Sequence, residues 1–126
     1  MRLKTSPSAE PKESGVITKA TLRAAEKLGI RNNVLAKIVG VSEPTVSRMR
    51  KGEYVLERGQ KAFELAILFV RFYRSLDAIV GGDEAVASDW IKNSNAALDS
   101  KPIDLIQTVA GLANVIAYLD SRRAVV

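Results

Sequence analysis

The stretch "LAKIVGVSEPTVSRMRKG", residues 35–52, sets two short apolar segments either side of Gly40 and loads the second with Ser, Thr and Arg. Ala36 is small enough for two helices to cross closely. Gly40, four residues later, can take the positive φ that a tight turn between them demands. Leu35, Val39, Val41, Val46 and Met49 then face inward and fix the crossing. Ser42 caps the second helix, Pro44 sits in its first turn, where a missing N–H costs nothing, and Gly52 ends it. With the apolar positions spent, Ser42, Glu43, Thr45, Ser47, Arg48 and Arg50 remain on the outer face, with Lys51 just beyond.

That spacing is the one a helix-turn-helix requires, with the polar face of its second helix entering the major groove of a duplex. Ser42 lies where free N–H groups and the helix dipole favour a phosphate. Glu43, Thr45 and Ser47 are near enough to the entering end to touch base edges. Arg48 suits guanine or phosphate; Arg50, Lys51 and Arg31 suit the backbone, which adds affinity without reading sequence. The bland alternative is a helical hairpin with a solvated face. The small–Gly–apolar spacing, the caps and the local charge together favour DNA binding, while charge alone does not reject a solvated surface. Residues 1–58 hold 12 basic and 6 acidic side chains, a net +6, and residues 59–126 hold 7 and 8, a net −1. A polyanionic partner belongs to the basic half.

Composition narrows the rest. The chain has 126 residues, 47% of them apolar, with no Cys and no His. There is no disulfide frame or thiolate chemistry, and the commonest general base and metal ligand are missing, so no cofactor or metal is expected. Asp83-Glu84 falls at a helix start, where capping and the dipole explain it, and no strained nucleophile turn is visible; the chain does not read as an enzyme. No secretory or membrane segment appears, and a reducing cytoplasm is the expected setting.

Along the chain, residues 1–15 read as a disordered arm rich in Ser, Pro, Lys and Glu. A first helix follows, with Thr18 as its N-cap and Gly29 as its stop. Asn32 or Asn33 caps a second, at 34–39. The helix-turn-helix region is 16–58. A long helix spans 60–79 within a central segment at 59–80, and its apolar residues surround most of the cylinder, so it must be covered on more than one side. Either the later helices cover it, or a second copy does, through Phe63, Ile67, Val70 and Phe72. A two-fold dimer would suit two half-sites about 34 Å apart. In 81–126, Asp83 starts a helix bearing Val86 and Trp90, with Trp90 expected as a core anchor. Pro102 opens a short helix, and Thr108 caps the last, which runs from 109 to about 121. No strand pattern occurs, so the fold class is all-α.

The second half adds a resemblance. Trp90-Ile91, Asn95, Leu98, Pro102, Leu105, Thr108, Gly111, Val115 and Leu119, in that order, resemble the C-terminal toxin-binding domain of the Xre/MbcA/ParS antitoxin family. With the upstream Xre-like helix-turn-helix, the likeness covers roughly residues 18–123. One departure is Leu98-Asp99-Ser100, where the family usually has Leu-Gly-Gly. The resemblance implies a type II antitoxin that blocks a RES-domain toxin, an NAD-consuming enzyme, and represses its own operon by binding the operator. It also implies dimers that gather into larger toxin–antitoxin assemblies. On that reading 81–126 is the toxin-binding domain, with Tyr118 and the tail Arg122, Arg123, Ala124, Val125 and Val126 as candidate contacts; the tail reads equally well as a frayed terminus. The alternative function is a stand-alone repressor whose C-terminal half only dimerises.

Overall fold

The computed structural model describes residues 9–124, and among them every regular element is a helix. The order is α1 (Ala9–Leu28), α2 (Asn32–Val39), α3 (Glu43–Arg50), α4 (Lys61–Ile79), α5 (Glu84–Lys92), α6 (Pro102–Leu105) and α7 (Val109–Ala124). The single strand-like pairing among the described residues joins Asn95 to Ser100.

Helix α4 is the axis of the molecule. It packs against α1 and α2 on one side and against α7 on another, with α5 at its end. One continuous apolar core results, running from Ala24 and Leu28 through Leu35, Val39, Val46, Phe69 and Phe72 to Leu112, Val115 and Leu119. This explains the all-round apolar character of α4 without a second copy. Phe63, Val70 and Phe72, expected on a dimer surface, are buried within the chain itself, and of the four expected residues Ile67 alone stays open, at 42% exposure.

Two helix starts differ from expectation. Helix α1 begins at Ala9, inside the segment read as an arm; residues 1–8 lie outside the described ones. Pro11 falls in its first turn, where no intrahelical N–H is needed. Thr18 is therefore no N-cap but a mid-helix residue, buried, with its hydroxyl donating to Ser14 O at 2.7 Å and accepting from Leu56 N at 3.0 Å. A buried backbone N–H must find a partner, and Thr18 supplies it for the connector after α3. Helix α2 begins at Asn32 with Arg31 as its extended cap residue and no side-chain cap.

The C-terminal helices are set by two tight approaches. Thr108 caps α7 as expected, its Oγ1 accepting from Gly111 N at 3.0 Å. A Cβ on Gly111 would sit 1.9 Å from Leu105 O, so α6 and α7 meet at a distance only glycine permits. The Asn95–Ser100 turn holds Asp99 at φ 58°, the one non-glycine residue with positive φ among those described, and Asn95 Oδ1 accepts from Leu98 N at 3.1 Å. Asp99 thus takes the left-handed conformation that a glycine would take there.

Candidate functional site

The turn that carries the site forms as its residues dictate. Gly40 ends α2 at φ 77°, and the N–H groups of Gly40 and Val41 both donate to Ala36 O, at 2.8 and 3.0 Å. These bonds satisfy a carbonyl that α2 would otherwise leave open. Leu35, Val39, Val46 and Met49 are buried, and α3 packs on α2 and more lightly on α1. Ser42 caps α3, its Oγ accepting from Thr45 N at 3.2 Å, and Pro44 occupies the first turn.

Ser42, Glu43, Arg48, Arg50 and Lys51 are exposed and Ser47 is half-buried, so six of the seven expected DNA-contact residues lie on or at the edge of the open face. Thr45 is the exception and a correction: it is buried, at 9% exposure. Its hydroxyl pairs with Ser42 Oγ at 2.8 Å and accepts from Arg48 Nη2 at 3.1 Å, so it is engaged with its neighbours and does not stand on the outer face. The reason is rotational. Val46 and Met49 set the buried stripe of α3, and Thr45, next to Val46 and four before Met49, turns in with them.

Several residues at this face carried no signal in their own sequence position. Tyr54 lies against Arg48, whose Cζ stands 6.0 Å from the ring centroid. Asn32 Oδ1 accepts from Arg50 Nε at 2.6 Å, which is where its side chain goes in place of capping α2. Lys19, Arg23 and Glu26 of α1 share a shallow depression with Arg50, extending the basic surface from α3 onto α1. The usable signal was Gly52, which marks a reversal that brings residues after it back over α3; Lys19 and Arg23 required the tertiary fold.

The other end of the chain is arranged differently. Arg122 Nη1 donates to Tyr118 Oη at 2.9 Å and lies over its ring. Arg123 turns toward α4, 3.3 Å from Ser75 Oγ and 3.8 Å from Asp120 Oδ1. Asp120 also accepts from Ser75 Oγ and from Arg71 Nη2, each at 3.0 Å. Arg123 therefore joins a network between α4 and α7. Ala124 closes α7, and Val125 and Val126 lie outside the described residues.

Beside that network lies a groove of about 910 Å³ between α1, α4 and α7, floored by Val16, Ile17, Ala20, Ile67 and Val70 and rimmed by Arg71, Arg74 and Arg123. A smaller one, about 270 Å³, lies on α5 and includes Val86, Trp90 and Asn95. Trp90 is half-buried and lines it, so it is only partly the core anchor expected; the buried pair on α5 is Ala87 and Ile91. Ser88 Oγ, donating to Leu28 O at 3.1 Å, helps fix that rotation of α5 and leaves Val86 and Trp90 on its open side.

No curated protein matches the chain. Two family models do. The antitoxin Xre-like helix-turn-helix domain matches residues 8–71, and the antitoxin Xre/MbcA/ParS C-terminal toxin-binding domain matches residues 75–124. The boundary between the two matches falls inside α4, the helix against which both ends of the molecule pack. The first match alone spans half the sequence and the second takes up where it stops, and the chain belongs to the Xre/MbcA/ParS family of antitoxins.

Proposed function

We propose that this antitoxin blocks a RES-domain, NAD-consuming toxin in the cytoplasm through residues 81–126. On the same reading it represses its own operon through the helix-turn-helix at 16–58. The observation that carries the DNA half is the state of α3. Its two arginines bond hydroxyl and amide oxygens, not carboxylates, so their charge remains available to a polyanion. Backbone contacts from Arg50 and Lys51 would position the helix, and Ser47 and Arg48 would read base edges.

The toxin half rests on the ordered signature from Trp90 to Leu119 and on exposed apolar and basic groups at that end. Val86, at 48% exposure, Trp90, Tyr118 and Arg122 supply the amphipathic contacts a protein partner needs. A homodimer is supported by the strip Lys61, Glu64, Ile67, Arg71, Arg74 and Ala78, exposed along α4 at intervals of three or four residues. An antiparallel two-fold crossing near Ile67 would set Glu64 against Arg71 or Arg74 of the partner subunit. Such dimers are the unit from which larger toxin–antitoxin assemblies would build.

The test is co-expression with the product of the neighbouring gene. The two proteins should co-purify, and the antitoxin should restore growth and cellular NAD in cells expressing the toxin. A neighbour with no effect on NAD would overturn the RES assignment. Binding to the DNA upstream of the operon, measured without the toxin, tests repression separately.

A further inference from the structure

We infer that Tyr54 and Thr45 are positioning residues that hold Arg48 in one direction, making it a reader of base identity. This rests on the reading of α3 as the DNA-contacting helix.

An exposed arginine ordinarily samples many rotamers. Arg48 is held from two sides. Thr45 Oγ1 accepts one Nη2 hydrogen at 3.1 Å, and Thr45 is itself fixed by Ser42, through Oγ at 2.8 Å and through its own N–H at 3.2 Å. The Tyr54 ring covers the guanidinium from the other direction, at 6.0 Å. Tyr54 is in turn anchored. After α3 the chain reverses, with Glu53 N donating to Arg48 O at 2.8 Å, and two residues beyond Tyr54 the buried Leu56 N–H is fastened to Thr18 of α1. The sequence of supports therefore runs from α1 through the connector to one side chain on the open face.

The two supports leave the Nη1 and Nε donors, and one Nη2 hydrogen, unspent. Guanine presents N7 and O6 side by side in the major groove, and a guanidinium fork matches that pair only when its plane is set. A phosphate contact needs charge and no such aim. An arginine with a purely structural role is expected to bond a carboxylate, as Arg71 does with Asp120; Arg48 makes no such ion pair among the described residues.

The experiment measures binding of the full chain to two duplexes: the DNA immediately upstream of its own coding sequence and a shuffled duplex of equal length. Tyr54→Leu is expected to weaken binding to the upstream duplex about two- to five-fold, the range of an exposed cation–π contact, with shuffled binding and salt dependence unchanged. Tyr54→Phe keeps the ring and should retain wild-type discrimination. Thr45→Val, close in volume, should shift discrimination in the same direction as Tyr54→Leu and serves if Tyr54→Leu folds poorly. In an Arg48→Ala background neither change should cost anything further, since the residue they aim is gone. Equal losses on both duplexes, equal losses in the Arg48→Ala background, or undiminished discrimination in Tyr54→Leu and Thr45→Val would overturn the positioning role. A wild-type chain that does not prefer the upstream duplex would overturn the DNA-reading assignment itself, a distinguishable failure.

Discussion

Helices α3 and α7 each carry two arginines in their last turn; Arg48, Arg50 and Arg122 bond neutral partners, and Arg123 of α7 alone among them turns to a carboxylate. Position alone explains all four, because cations are favoured at helix C-termini. On α3, Arg48 bonds Thr45 and Arg50 bonds Asn32, neutral partners that fix direction and leave charge displayed. On α7, Arg123 shares Asp120 with Arg71 and reaches Ser75, so its charge is largely answered inside the chain. The contrast follows the division of charge, net +6 in residues 1–58 and −1 in residues 59–126. A charge count tells which region accumulates cations. Whether a given cation is available to a partner depends on whether its neighbour is a hydroxyl or a carboxylate.

The largest expected effect tests whether the two ends are independent bodies. In Gly111→Ala the new Cβ would fall 1.9 Å from Leu105 O, and a backbone atom cannot step aside as a flexible side chain can. The α6–α7 joint must open, at a cost of about 3 kcal/mol or more. Because one core runs from α1 to α7 across α4, denaturant unfolding should stay a single transition with a lowered midpoint. Two separated transitions would show that the DNA-reading and toxin-binding ends melt apart, and the contrast between them would then be one of domains.

What the sequence made legible divides along the same line. The Ala36–Gly40 turn, the Ser42 cap, the Pro44 position and the end of α3 were readable because local chemistry dictates them: a positive φ, an orphan N–H, a missing N–H. The Trp90–Leu119 signature was readable as a pattern, and its physical content emerges only in the fold. Ile91, Pro102, Val115 and Leu119 are buried, while Asn95, Thr108 and Gly111 shape turns. Thr18, Thr45, Tyr54 and Asn32 were misread or missed for two reasons. Thr18, Asn32 and Tyr54 each bond or touch a residue that only the turns and the tertiary fold bring near, whereas Thr45 was misplaced by the rotation of α3, which its own i−3 and i+3 neighbours hold.

The helix-turn-helix has its own critical glycine, with a different mode of failure. A Cβ at Gly40 meets nothing nearer than Leu65 Cδ1 at 3.5 Å, an ordinary contact, so Gly40→Val is penalised by φ 77° and not by a clash. A left-handed conformation costs about 1–2 kcal/mol for an ordinary residue and more for a β-branched one. Thermal unfolding of Gly40→Val should therefore show a loss of about 2 kcal/mol or slightly more. An unchanged midpoint would mean that the turn can close with negative φ.

The arginine contrast itself is sharpened by paired substitutions. Arg48→Ala should weaken binding to the upstream duplex by about 1–3 kcal/mol and leave toxin neutralisation intact. Arg123→Ala should change that binding by less than about 0.5 kcal/mol, since it removes a cation already turned toward Asp120. Similar losses in both variants would mean that the groove beside α4 is part of the DNA surface, and that answered and displayed charge had been wrongly distinguished.

The smallest effect concerns Asp99, a non-glycine residue that holds φ 58°. Asp tolerates the left-handed region better than most residues, so the strain is below the full penalty. Replacing it with glycine removes that strain but enlarges the freedom of the unfolded chain, which offsets about 0.4–1 kcal/mol. Asp99→Gly should therefore stabilise by less than about 1 kcal/mol, seen as a small rise in the unfolding midpoint with toxin binding unchanged. A clear loss of stability would show that the Asp99 side chain contributes beyond its backbone. A negligible shift would be the balance of two opposed backbone terms, which Asp99→Ala would expose: alanine gains no access to positive φ and should cost about 1 kcal/mol.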